Sequence, residues 1–165
     1  MKFFPKKSLG QNFLIDKNII ENIVKIGFVK NTDRVLEIGA GTGNLTEKII
    51  NKKPKSFTVI EKDKRLAEYL FVKFGNKIKI INEDVLNYNY NSELSNELII
   101  FGNLPYNIST QILVSWIRIN KLNQFCKRFV LLFQKEVADR IVAKHGAKNY
   151  GRLSVLANLK LTTQK

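Results

Sequence analysis

From residue 34 to residue 143 the chain keeps repeating one pattern: a short apolar run, a turn, then an amphipathic stretch. Runs this short are strands rather than helices. Strands separated by helical spacing pair in parallel, because each helix carries the chain back across the sheet. The pattern predicts strands at 34–39, 57–61, 78–81, 98–102 and 129–134, with a sixth near Lys165. It predicts helices at 45–50, 64–74, about 109–119 and 135–143. In the second of these helices Leu66, Leu70 and Phe74 share one side. The expected fold class is therefore α/β, a mainly parallel sheet with helices on both faces. In such sheets ligands bind beyond the carboxyl ends of the strands, which is where the unusual residues of this chain fall.

Composition narrows the chemistry. The 165 residues suit one domain, 1–165, large enough for a proper core. One cysteine, Cys126, excludes an internal disulfide and a Cys-rich zinc site; one histidine, His145, leaves no His-based metal cluster or Ser-His-Asp set. Neither has an evident partner set, and both are read as structural. No apolar run approaches the roughly 18 residues of a membrane span. Lys2, Lys6 and Lys7 are followed by no long apolar stretch, so the start is not a secretory signal and the expected compartment is the cytoplasm.

The net charge is +14, unevenly spread. Residues 1–30, read as a basic N-terminal arm, hold six lysines against two acids. Residues 31–117 hold eleven basic and ten acidic residues, and 118–165 hold eleven against two. A neutral middle between basic ends suits an enzyme that grips a polyanion, with nucleic acid favoured over an acidic membrane surface.

The first strand runs into Glu37-Ile38-Gly39-Ala40-Gly41-Thr42-Gly43. Alternating glycines let the backbone turn tightly and approach a ligand. The dinucleotide fingerprint fails, because Asn44 and Thr46 stand where its third glycine belongs, and no P-loop lysine follows. The E-x-G-x-G-x-G arrangement instead resembles class I S-adenosylmethionine-dependent methyltransferases, which have a Rossmann-like fold. Gly39, Gly41 and Gly43 then form the cofactor loop. Glu61 ends the second strand, where a carboxylate can accept two ribose hydroxyls. Asp84 follows the third strand, placed to take the adenine amine.

The fourth strand ends in Asn103-Leu104-Pro105-Tyr106, which resembles the Asn/Asp-Pro-Pro-Tyr turn of enzymes that methylate exocyclic base amines. Such an amine is a weak nucleophile, its lone pair being delocalised into the ring. Acceptors that hold its hydrogens favour a pyramidal nitrogen; the Asn103 side-chain oxygen and the Leu104 carbonyl are the candidates. Pro105 fixes the turn, and Tyr106 offers a face for a flipped base.

With these residues in place, the whole chain resembles the ribosomal RNA adenine N6,N6-dimethyltransferase family, on the side of its bacterial small-subunit members. Residues 6–16 (KKSLGQNFLID), 101–110 (FGNLPYNIST), 133–141 (FQKEVADRI) and 150–155 (YGRLSV) are similar to its signatures. The resemblance implies that Asn12 and Leu14 contact the cofactor, S-adenosylmethionine, as does Asn103, with no metal. It implies dimethylation of two adjacent adenines in small-subunit ribosomal RNA during ribosome biogenesis, on an immature subunit, by a monomer. It also implies that the family's C-terminal helical domain is missing. The alternatives are a non-catalytic RNA-binding or pre-ribosome-binding module and a large-subunit methyltransferase of the antibiotic-resistance type; a nicotinamide oxidoreductase is disfavoured by Asn44 and Thr46.

Overall fold

The structure is a computed structural model that describes residues 3–6, 9–90 and 97–165. Lys2, Lys7 and Ser8, which belong to the basic start or to the first signature, lie outside the described residues. Five strands, β1 (Arg34–Ile38), β2 (Ser56–Ile60), β3 (Lys79–Ile81), β4 (Leu98–Asn103) and β5 (Cys126–Leu132), form one parallel sheet in the order β3-β2-β1-β4-β5. β1 lies at the centre, with Leu36 level with Thr58 on one side and Ile100 on the other. The chain first winds outward from β1 to β3, then returns to place β4 on β1's other edge. That reversal opens a crevice at the carboxyl ends of β1 and β4.

The helices follow the sequence pattern: α1 (Lys17–Gly27), α2 (Asn44–Ile50), α3 (Lys64–Phe74), α4 (Ser109–Ile117), the short α5 (Leu122–Phe125), α6 (Lys135–Val142) and α7 (Arg152–Lys160). Alternation along β1 sorts the core into two layers. Val35 packs with Ile20, Ile23 and Val24 of α1, Leu45 and Ile49 of α2, and Leu70 and Phe74 of α3. Leu36 and Ile38 pack with Ile112 and Trp116 of α4 and with Phe125. Among the described residues no helix is long and apolar enough to cross a membrane.

Part of the basic stretch 1–30 is thus a helix built into the core. Asp16 starts α1 by accepting from the Asn18 (2.8 Å) and Ile19 (3.1 Å) amides. Gly27 ends it against the Phe101 ring, which a Cβ there would overlap. Phe28 then takes a left-handed conformation, φ 48 and ψ 40.

Two expectations need correction. The fifth strand starts at Cys126, three residues before the apolar run, because Cys126 pairs with Leu98 and a register irregularity there absorbs Lys127. Its polar start is invisible to a search for apolar runs. No sixth strand forms near Lys165 among the described residues; instead 152–160 folds as α7. Buried Ser154 and Ala157 seat α7, and Ser154 donates to the Arg140 carbonyl of α6.

Candidate active site

The carboxyl ends of β1, β2 and β4 surround a cavity of about 220 Å³. Gly39, Gly41 and Gly43 all take positive φ, at 68°, 59° and 77°. Gly39 extends the sheet by donating to the Ile60 carbonyl (2.9 Å), and Gly41 donates to Glu61 Oε2 (3.1 Å). Gly43 does something different. A Cβ there would stand 2.6 Å from the Phe74 ring and 2.8 Å from Leu70, so this glycine lets α2 approach α3 closely.

Glu61 stands one residue beyond β2 and is almost fully buried. Its second oxygen accepts from the Asp63 amide (2.9 Å). Burial raises its pKa, against the pull of these backbone hydrogen bonds. Asp63 is a hub absent from the sequence reading. It caps α3, accepts from Arg65 Nη2 (2.7 Å) and Gln11 Nε2 (3.2 Å), and pairs with Lys6 (3.5 Å). The Arg65 guanidinium holds its carboxyl far below the usual carboxylate range. Asp84 accepts from the Lys62 ammonium (2.7 Å) and the Leu86 amide (3.0 Å), and the ammonium keeps its pKa low.

Glu37, left without a role in the sequence reading, is the most perturbed group on the cavity wall. It is 2% exposed, and its Oε2 has no hydrogen-bond partner among the described residues. Burial pushes its pKa up to about 8; Thr46 beside it restrains the rise, and the Glu61 charge adds to it.

The N-terminal segment and the Asn-Leu-Pro-Tyr turn close on each other across the cavity mouth. Asn103 Nδ2 donates to the Asn12 carbonyl, which leaves Oδ1 as the acceptor. Asn12 Nδ2 donates to the Tyr106 hydroxyl (2.8 Å). Asn44 Nδ2 anchors the same segment through the Leu14 carbonyl (2.9 Å), so one of the two residues that break the dinucleotide fingerprint is a tether. Leu104 turns into the core and is 1% exposed, and Tyr106 is 41% exposed at the rim. Eight of the eleven expected site residues line the cavity: Asn12, Leu14, Gly39, Gly41, Glu61, Asp84, Asn103 and Pro105. Gly43, Leu104 and Tyr106 do not. Gln11, Phe13 and Ile108 line it without having been expected. Cys126, remote from this site, is buried, and burial pushes its thiol up to about 12.

A family model for ribosomal RNA adenine dimethylase matches residues 3–165. The chain is 52% identical over 160 residues to the ribosomal RNA small subunit methyltransferase A of Pelagibacter ubique, covering 97% of this chain and 61% of that protein. It is 46% identical over 158 residues to the protein of the same name from Flavobacterium johnsoniae, covering 94% and 59%. The chain thus spans about six tenths of the length of these curated relatives. Among solved structures, a dimethyladenosine transferase from Plasmodium falciparum superposes with a TM-score of 0.77 at 30% identity, over 90% of this chain and 52% of that one. The 23S rRNA methyltransferase ErmE superposes at 0.71 and 28% identity, over 87% and 56%. These neighbours carry the Rossmann-like methyltransferase fold expected from the glycine loop.

Proposed function

Because the chain belongs to the ribosomal RNA adenine dimethylase family, we propose that it transfers methyl groups from S-adenosylmethionine to the N6 amines of two adjacent adenines in small-subunit ribosomal RNA. The observation that carries this reading is the position of Asn103, which lines the cavity and also begins the Asn-Leu-Pro-Tyr turn. One residue therefore borders both the cofactor side and the substrate side.

The wall chemistry fits the methyl donor. Glu61 and Asp84 give carboxylates suited to a ligand carrying hydroxyl and amine donors, and Glu37, which keeps its proton near neutral pH, adds a neutral carboxyl to the wall. Glu61 would hold the ribose, Asp84 the adenine amine, and Gly39 and Gly41 would leave room for the ligand beside the loop; Asn12 and Leu14 would cover it. When bound, the donor supplies an electrophilic methyl group and departs as a neutral thioether.

On the substrate side, Asn103 Oδ1 and the Leu104 carbonyl accept the hydrogens of the amine. The buried Leu104 side chain holds the backbone that carries this carbonyl. Tyr106 stacks on the extruded base. No strong general base is required, since the amine can release its proton after attack. The working partner is an immature small ribosomal subunit, and the working compartment is the cytoplasm.

The test is transfer of labelled methyl groups to immature small subunits, with naked large-subunit RNA as the comparison. Incorporation at adenine N6 of the small subunit, lost in Asn103→Ala, supports the proposal. Incorporation only into large-subunit RNA would assign the chain to the resistance type. Subunit binding without incorporation would make it a binding module.

A further inference from the structure

At the end of the sheet opposite the cavity, three loops meet on Asp33. Its carboxylate accepts from the Lys30 amide (2.7 Å) and the Lys127 ammonium (3.1 Å), and its carbonyl accepts from the Lys55 amide (2.8 Å). Next to these loops the far ends of α1 and α2 border a groove of about 530 Å³. Lys25, Lys48 and Lys52 line it, and Glu21, paired with Lys48 at 2.9 Å, is the carboxylate on its wall. The middle of the chain is close to neutral by count, yet four of its eleven basic residues fall within 48–55, at this place.

Phe28 forms part of the same wall and is unusual in two ways. It is 68% exposed, and it holds the left-handed conformation in which glycine or asparagine ordinarily closes a helix. A bulky side chain there carries a steric cost that an exposed ring does not recover by burial. Arg128 fixes the ring: its guanidinium lies 5.1 Å from the ring centroid while donating to the Gly27 carbonyl (2.9 Å). The groove thus presents an open aromatic face bordered by cations. An apolar protein partner would supply no counter-charge to Lys25 and Lys52, whereas a nucleotide strand supplies a base for the ring and phosphates for the ammoniums.

We propose that this groove is a second RNA-contact surface. It takes a single-stranded stretch with one base stacked on Phe28 and the adjoining phosphates on Lys25, Lys48 and Lys52. The proposal rests on the reading of the chain as an RNA methyltransferase and adds an anchoring point to it. α1 sets the separation: its start adjoins Leu14 at the cavity and its end carries Phe28, about 16 Å away at 1.5 Å per residue. The groove grips the strand while the cavity reacts with another part of the RNA.

The probe is a single-stranded oligouridylate, which contains no adenine for the cavity. Phe28→Trp in the full chain provides the reporter, since the native Trp116 is buried. Titration should quench the new fluorescence. Phe28→Ala should weaken binding about fivefold or more. Replacing Lys25, Lys48 and Lys52 together by glutamine should flatten the log–log salt slope by about two. Cofactor affinity, measured by calorimetry, should be unchanged in each variant, which also reports folding. Unquenched Phe28→Trp, or groove variants that bind RNA and methylate subunits as the wild type does, would overturn the proposal and leave the methyltransferase reading intact. Preference for anionic-lipid vesicles over RNA would overturn it too. A wild type that bound no RNA would remove both.

Discussion

Replacing Glu37 by glutamine tests how the cavity stores electrostatic cost. The folded carboxyl keeps its proton up to about pH 8, whereas in the unfolded chain it ionises near 4.5. Between those values the unfolded state has lost the proton and the folded state has not, so raising the pH favours unfolding. The contribution is fully present below pH 4.5 and is lost as the pH rises toward 8. At roughly 1.4 kcal/mol per pH unit, the interval from pH 5.5 to 8 removes about 3 kcal/mol. The burial-raised Glu61 slopes the same way in both proteins, so most of its effect drops out of the comparison. Asp33, Asp63 and Asp84 are lowered, so their stabilisation is lost only on acidification and leaves this window flat. Glutamine is close in shape and uncharged throughout, and any amide left unpaired adds a constant offset. Denaturant unfolding without cofactor, at half-unit steps from pH 5.5 to 8, should show the wild type losing about 3 kcal/mol relative to Glu37→Gln. Parallel pH curves, or a wild type that gains on the variant as the pH rises, would refute the reasoning.

Glu61→Ala should weaken cofactor binding by about 1.5–3 kcal/mol in calorimetry, because two ribose hydroxyls lose a charged acceptor; unchanged affinity would remove the ribose assignment. Tyr106→Ala should lose about 5- to 150-fold in transfer efficiency through lost stacking. Tyr106→Phe gives up only the hydrogen bond from Asn12 and should keep most activity, so equal damage from both would place the hydroxyl in the chemistry. Gly43→Ala should destabilise the fold by about 1–3 kcal/mol, since its methyl group would meet Phe74 and Leu70 at a φ of 77°; an unchanged melting temperature would show that α2 and α3 have slack.

The sheet was legible because each strand but one coincides with its apolar run, and 64–74 matched α3 to the residue. β5 began early because its first residues, Cys126, Lys127 and Arg128, are mostly polar and are held by pairing with β4. α1 escaped notice because 17–27 was read for its lysines, although Ile20, Ile23 and Val24 already had helical spacing. The same one-sided emphasis affected the site. Glycines and strand-end acids announce a ligand by type and position. Asp63 acts through Gln11 and Lys6, more than fifty residues earlier in the chain, and no local pattern reveals that association. The packing of Gly43 against Phe74 and Leu70 was not foreseen, because sequence alone cannot say which side of a glycine is crowded.

The strand order also sets a timetable for synthesis. β1 acquires its neighbour β2 soon after it emerges, but its other edge waits for β4, whose last residue is added about 65 residues after the end of β1. At roughly 5–20 residues per second, that interval lasts about 3–13 s. Throughout it the central strand of the sheet offers an unpaired backbone edge to any nascent chain alongside. Crowded translation is therefore the condition under which this protein is most exposed to aggregation, and slowing elongation between residues 38 and 103 would lengthen the exposure.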